Sequence, residues 1–183
     1  MDSEPQNSET LLVHDHADLD GVLSELDQAF DAKDLERSLE LLDLFWGRLG
    51  VHIRAENVHL FPTLLRASEL SDTRTSTDDV VPRQEMHELV NQLLDDHNFF
   101  MKQLIPAVKK LKLFCQNKEP EGLEEIRATM IAVRRRLEAH NLIEESRVYR
   151  QARFLLSPTE QSTLNQKIQS DLENIPLRLR KKS

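Results

Sequence analysis

Apolar residues recur at helical spacing through four long stretches of the chain. Leu12, Leu19, Leu23, Leu26 and Phe30 fall on one face of a first helix, A, from about Thr10 to Phe30. Asp31 to Lys33 make a tight connection, and Asp34 has the side chain of an N-cap for helix B, which runs to about Ala67. Pro62 lies inside helix B and is expected to kink or loosen its last turns. Ser68 to Asp79 is rich in Ser, Thr and Asp without apolar periodicity, and reads as the longest loop. Helix C follows from about Val80 to Cys115, with a kink expected at Pro106. Gln116 to Gly122 is a turn, and helix D runs from about Leu123 to Leu155. Ser157-Pro158-Thr159-Glu160 is a capping-box signature with proline at the first helical position. It opens a short helix E, to about Leu172, and Pro176 ends the regular structure.

Four long helices with mostly short connections predict an all-α, up-down-up-down four-helix bundle, with helix E covering one side or one end. The expected organisation is a disordered leader over 1–9, the bundle over 10–155, and a short helix and basic tail over 156–183. Composition agrees. The 183 residues are 39% hydrophobic and 31% charged, with only four glycines and few β-branched runs. A net charge of −8 argues against general nucleic-acid binding, which needs a basic footprint. The basic residues Arg178, Arg180, Lys181 and Lys182 read as a solvated end. The single cysteine, Cys115, excludes an intrachain disulfide, a CxxC redox pair and a thiolate cluster. The opening MDSEPQNSET is unlike a signal peptide, and no apolar run approaches the ~18 residues of a membrane span. A soluble, cytoplasmic protein with no membrane or nucleic-acid partner is expected.

The chemistry lies in the histidines. His52-x-x-x-Glu56 and His140-x-x-x-Glu144 share one pattern. Four residues advance a helix by about 400°, so each pair lies on one face, one turn apart, where a metal can take an imidazole nitrogen and a carboxylate oxygen. One such pair is weak evidence. An internal repeat strengthens it. Asp15-His16 on helix A and Asp96-His97 on helix C each follow an apolar pair and precede apolar residues three and seven positions on. Leu60-Phe61 after Glu56 matches Val148-Tyr149 after Glu144. The chain therefore reads His…HisxxxGlu twice, once per helical hairpin.

From His16 to the end of helix A is about 14 residues, and from the start of helix B to His52 about 18, or roughly 21 and 27 Å. The two groups return to nearly the same height, and the second hairpin behaves likewise. His16, His52, Glu56, His97, His140 and Glu144 can form one layer. Buried carboxylates and imidazoles are costly unless paired or metal-bound. Glu56 and Glu144 can each bridge two metals, with His16 and His52 on one and His97 and His140 on the other. An oxo or hydroxo bridge and a vacant position for a small ligand would complete the shells.

These residues resemble those of hemerythrin-like proteins of the HHE cation-binding family. The resemblance rests on Asp15-His16, His52-Ile53-Arg54-Ala55-Glu56 with Leu60-Phe61-Pro62, Asp96-His97, and His140-Asn141-Leu142-Ile143-Glu144-Glu145. It implies a site of two non-haem iron ions and a small ligand: O2, NO or peroxide. Oxygen-carrying hemerythrins place a second histidine four residues after the helix C ligand, where this chain has Met101, and end on an Asp five residues after its His rather than on Glu144. The symmetric set of four His and two Glu resembles more closely the bacterial iron-centre repair and nitric-oxide-linked members. Those repair proteins carry an N-terminal cysteine segment that this chain lacks.

The other histidines read as bystanders. His14 is about 200° from His16 and should face outward. His87 points elsewhere. His59 lies one turn beyond Glu56, but its repeat counterpart is Arg147, which is no ligand. Glu56-x-x-His59 is a lone ExxH, whereas the ferritin-like di-iron fold needs two. Trp46 and Phe45 read as core. Tyr149 is either a hydroxyl near the metals or core packing, and Glu145 and Asp96 face away or hydrogen-bond nearby groups. The expected function is reversible binding of, or reaction with, a diatomic ligand in sensing, storage or stress response. The alternatives are redox turnover of peroxide or nitric oxide, iron donation in repair of iron centres, and a metal-stabilised interaction domain. A two-metal zinc hydrolase lacks an obvious general base.

Overall fold

A computed structural model describes residues 7–71 and 79–174. Among them there is no strand; the elements are α1 (Ser8–Asp31), α2 (Leu35–Ala55), α3 (Phe61–Ser71), α4 (Arg83–Asn117), α5 (Leu123–Ile143), α6 (Gln151–Leu155) and α7 (Pro158–Glu173). The expected all-α class stands. Residues 1–6 of the leader, residues 72–78 of the loop and the basic tail 175–183 lie outside the described residues.

Several boundaries differ from expectation for local reasons. α1 starts at Ser8, because the Asn7 side chain caps it by accepting the Thr10 N–H, so the last residues of the expected leader are helical. Asp34 caps α2 by accepting the Arg37 N–H. α4 starts at Arg83 rather than Val80. Pro82 biases Val81 away from the helical region and itself serves as the N-terminal flank. α4 continues through Pro106 and stops where Lys118 adopts the left-handed conformation, φ 59°. There the Glu119 N–H closes back on the Phe114 carbonyl at 3.0 Å. Gly122 opens the return into α5, and a Cβ there would meet the Phe114 ring at 2.5 Å.

Helices B and D are each interrupted by a π turn, at Glu56–Leu60 and Glu144–Val148. The Phe61 N–H reaches back five residues to the Glu56 carbonyl, and the Tyr149 N–H to the Glu144 carbonyl at 2.8 Å. The irregularity attributed to Pro62 is thus this turn just before it. In an α-helix the fifth residue on lies about 140° round from the first. The extra residue of a π turn brings it back over the starting face. Phe61 therefore sits above Glu56, and Tyr149 above Glu144.

The bundle core divides in two along its length. One apolar cluster includes Leu19, Leu23, Phe45, Leu49, Phe100, Leu104, Ile126 and Leu137. The other includes Leu12, Leu60, Phe61, Leu64, Leu93, Val148, Tyr149 and Ile168. α7 packs on α2, α1 and the first π turn, and its capping box joins Ser157 and Glu160 reciprocally. It buries Leu164 and Ile168 in the second cluster. No described helix is long and apolar enough to cross a membrane.

Candidate metal centre

All six residues singled out by the repeat meet in a polar layer bounded by the two apolar clusters. His16, His52, His97 and His140 are at most 4% exposed, and Glu56 and Glu144 are fully buried. The imidazoles meet by hairpin. His16 Nε2 lies 3.1 Å from His52 Nε2, and His97 Nε2 lies 3.2 Å from His140 Nε2. The carboxylates stand between the pairs. Glu56 puts Oε1 3.5 Å from His52 Nε2 and Oε2 3.3 Å from His97 Nε2. Glu144 puts Oε2 3.4 Å from His16 Nε2 and Oε1 3.0 Å from His140 Nε2.

Every outer nitrogen is engaged. His52 Nδ1 lies 2.9 Å from Asp15, His140 Nδ1 3.2 Å from Asp96, His16 Nδ1 2.8 Å from Glu145, and His97 Nδ1 2.9 Å from the Asn57 side-chain oxygen. With acceptors there, each Nδ1 carries its hydrogen and donates it outward. The Nε2 lone pairs then face one another, and each close pair can hold one proton or a cation, not two bare lone pairs. Glu56 Oε2 and Glu144 Oε1 tell the same story. They are buried without a hydrogen-bond partner, although imidazole nitrogens lie close. Atoms that are near but not aimed at each other share a third point. The donor set of imidazole nitrogen and carboxylate oxygen suits iron, manganese or zinc. Two overlapping groups could hold ions: His16, His52 and Glu144, and Glu56, His97, His140 and Glu144.

Electrostatics bind the metal-free layer together. Burial would lower the His52 imidazolium, but Glu56 and Asp15 hold its pKa well above the ordinary 6.5. His140 is likewise raised: Glu144, Glu56 and Asp96 outweigh burial. Burial would raise the Glu56 carboxyl, and His52 and His97 pull it well below its usual range. Asp15 is lowered by His52 and Arg48 against burial. The raised imidazoles of His52 and His140 and the lowered carboxyls of Glu56 and Asp15 thus hold each other in the metal-free layer.

Three outer residues escaped the sequence reading: Arg48, Arg136 and Asn57. Arg48 reaches Asp15 at 2.6 Å, and Arg136 reaches Asp96 at 2.5 Å. Each arginine stands four residues before its histidine, so the repeat extends one turn further than the motif quoted for it. Asn57 and Glu145 follow the two glutamates and brace the opposite hairpin's first histidine. Asp96 and Glu145 do hydrogen-bond near the site. His59 pairs instead with Asp171 on α7 at 3.2 Å, His14 is exposed, and His87 lies near Glu69.

Tyr149 resolves to the site rather than to packing alone. Its hydroxyl lies 2.5 Å from Glu56 Oε1, 2.9 Å from Glu144 Oε2, 3.2 Å from His16 Nε2 and 3.5 Å from His52 Nε2. Burial and the two carboxylates raise its pKa well above the ordinary 10 in the metal-free chain. The repeat counterpart, Phe61, stacks on His97 at 5.8 Å with 12° between the rings.

Fold and site together define a helical bundle with a buried, cation-accepting layer of imidazoles and carboxylates. The family model for the hemerythrin HHE cation-binding domain matches residues 7–152. The chain belongs to that family. No curated protein and no solved structure matched it.

Proposed function

We propose that His16, His52, Glu56, His97, His140 and Glu144 hold two non-haem iron ions, and that this centre binds a diatomic ligand, O2 or NO. The observation that carries the reading is the closed polar layer. All six groups are nearly or wholly buried, so a molecule of a few atoms is what the interior admits without parting helices. Iron there would supply a redox-active centre with open positions for such a ligand. The protein does the rest. Asp15, Asp96, Glu145 and Asn57 fix each imidazole with its proton outward and its Nε2 lone pair inward. Arg48 and Arg136 hold two of those carboxylates in place. Phe100, edge-on to His140 at 5.3 Å, and Phe61, stacked on His97, line the second pocket with aromatic rings.

The same burial weighs against iron donation, which needs the layer to open. Redox turnover of peroxide or NO remains the alternative, separated by kinetics. The test begins with metal analysis of anaerobically purified protein and its optical spectrum. The reduced protein is then mixed with O2 or NO in stopped flow. A ligand-to-metal band forming stoichiometrically supports the proposal. Sustained consumption of NO or peroxide with a reductant would replace it with the enzymatic reading. No spectral change with either gas would sink it.

A further inference from the structure

The two halves of the layer are built from one repeat, yet they are not the same. The difference centres on position five after each glutamate. The π turns aim both side chains at the layer, and one is Phe61 while the other is Tyr149. We propose that the Tyr149 phenol oxygen is a direct ligand of the metal held by His16 and His52, so that the exchangeable small-ligand position lies on the metal held by His97 and His140. This rests on the two-metal reading above.

Spacing is the first support. Donor atoms about 2.0–2.2 Å from one ion lie about 3 Å apart across a right angle. The Tyr149 oxygen lies between 2.5 and 3.5 Å from four such donors at once: Glu56 Oε1, Glu144 Oε2, His16 Nε2 and His52 Nε2. Hydrogen counting is the second. A phenol has one hydrogen to donate. The Nδ1 hydrogens of His16 and His52 point outward to Glu145 and Asp15. The phenol O–H and one proton shared by the two imidazoles satisfy two of the four buried contacts in the metal-free layer, whereas a shared cation accounts for all four. Coordination sends the phenol proton to solvent as the oxygen binds.

The surroundings agree. In the first pocket both outer imidazole partners are carboxylates, Asp15 and Glu145. In the second they are Asp96 and the neutral amide Asn57. The first pocket supplies five protein donors and more negative charge, which favours a permanently ligated ion in its higher oxidation state. The second supplies four donors and a bare phenyl ring, leaving its ion the larger gap in coordination.

The experiment uses the full chain loaded with iron alone and oxidised in air. Iron content is measured, and resonance Raman is recorded under the visible band. Two irons per chain with tyrosinate ring modes are expected. Tyr149→Phe should retain two irons, lose those modes, and take up two azides per chain where the wild type takes one. Its new ring copies the arrangement Phe61 already has. Two irons without tyrosinate modes in the wild type would overturn the ligand assignment and leave the two-metal reading intact. Fewer than two irons in the wild type would remove that reading, and this inference with it.

Discussion

The α1–α2 hairpin and the α4–α5 hairpin offer the layer the same inner atoms and different backing. His16 and His97, His52 and His140, Glu56 and Glu144 take equivalent places, and both hairpins insert a π turn at the glutamate. Asp15 with Arg48 matches Asp96 with Arg136. Departures occur where one residue looks across to the other hairpin. Glu145 braces His16, Asn57 braces His97, Tyr149 reaches the first pocket and Phe61 lines the second. What is held in common is what any pair of cations requires. What differs sets one position apart from the other.

The comparison can be broken most severely through the shared carboxylates. Glu56→Ala or Glu144→Ala removes oxygens that face both pockets, so metal content should fall from two per chain toward zero. Mass-spectrometric metal analysis checks this, and two metals retained in both variants would refute the bridging role. Asp15→Asn and Asp96→Asn strike one pocket each through its outer partner. Each should weaken metal binding by about 10–100-fold. Titration against a competing chelator reads the loss, and equal losses would show that the symmetric part of the repeat governs affinity.

Removing the metals should expose a pH dependence. His52 and His140 have raised pKa values in the metal-free chain. Their stabilising ion pairs are present below the ordinary 6.5 and lost as pH rises through the raised values. Glu56 and Asp15 are lowered, so their contribution is present above 4.5 and 3.8 and lost as pH falls. The melting temperature of chelator-stripped protein should therefore decline on the alkaline side, while loaded protein, whose imidazoles are neutral ligands, should not. Equal profiles with and without chelator would contradict the assignment of these protons. A smaller effect tests the asymmetry itself. Asn57→Asp should narrow the gap between the redox potentials of the two ions, read by spectroelectrochemistry. The smallest concerns His59→Ala. It should leave metal content at the wild-type value and cost less than ~1 kcal/mol, because the Asp171 pair is partly exposed.

Most of the layer was legible because His and Glu set to share one face of a helix obey a period. His52 and Glu56 share a face by spacing alone, and the repetition at His140 and Glu144 makes chance a poor explanation. Leu19, Phe30 and Phe45 read as core from the same period, and they are buried. The π turns were not legible. A π turn carries no composition of its own, and a regular helix through Glu56 would point Phe61 elsewhere. For that reason the position of Tyr149 stayed open between packing and chemistry. Asp15 and Asp96 were visible as a motif, but their service to His52 and His140 depends on which helix packs beside which. Arg48 and Arg136 stand one turn before their histidines, outside the HisxxxGlu spacing that a ligand pair requires, and Asn57 has no polar counterpart of its own charge in the repeat.

Each π turn is one residue more than an α-helix needs. A lineage that deleted a residue within 57–60 would restore a regular helix, and Phe61, then the fourth residue after Glu56, would stay within about 40° of its face. The hydrophobic stripe, the fold and Phe61 at the layer would all be kept. The mirror deletion within 145–148 would likewise keep Tyr149 over Glu144. Ungapped alignment to a relative with uninterrupted helices would pair the wrong residues after both glutamates, and would count as variation what is only a shift of frame. Insertion and deletion can thus change how many residues separate a phenol from its glutamate without moving it from the layer.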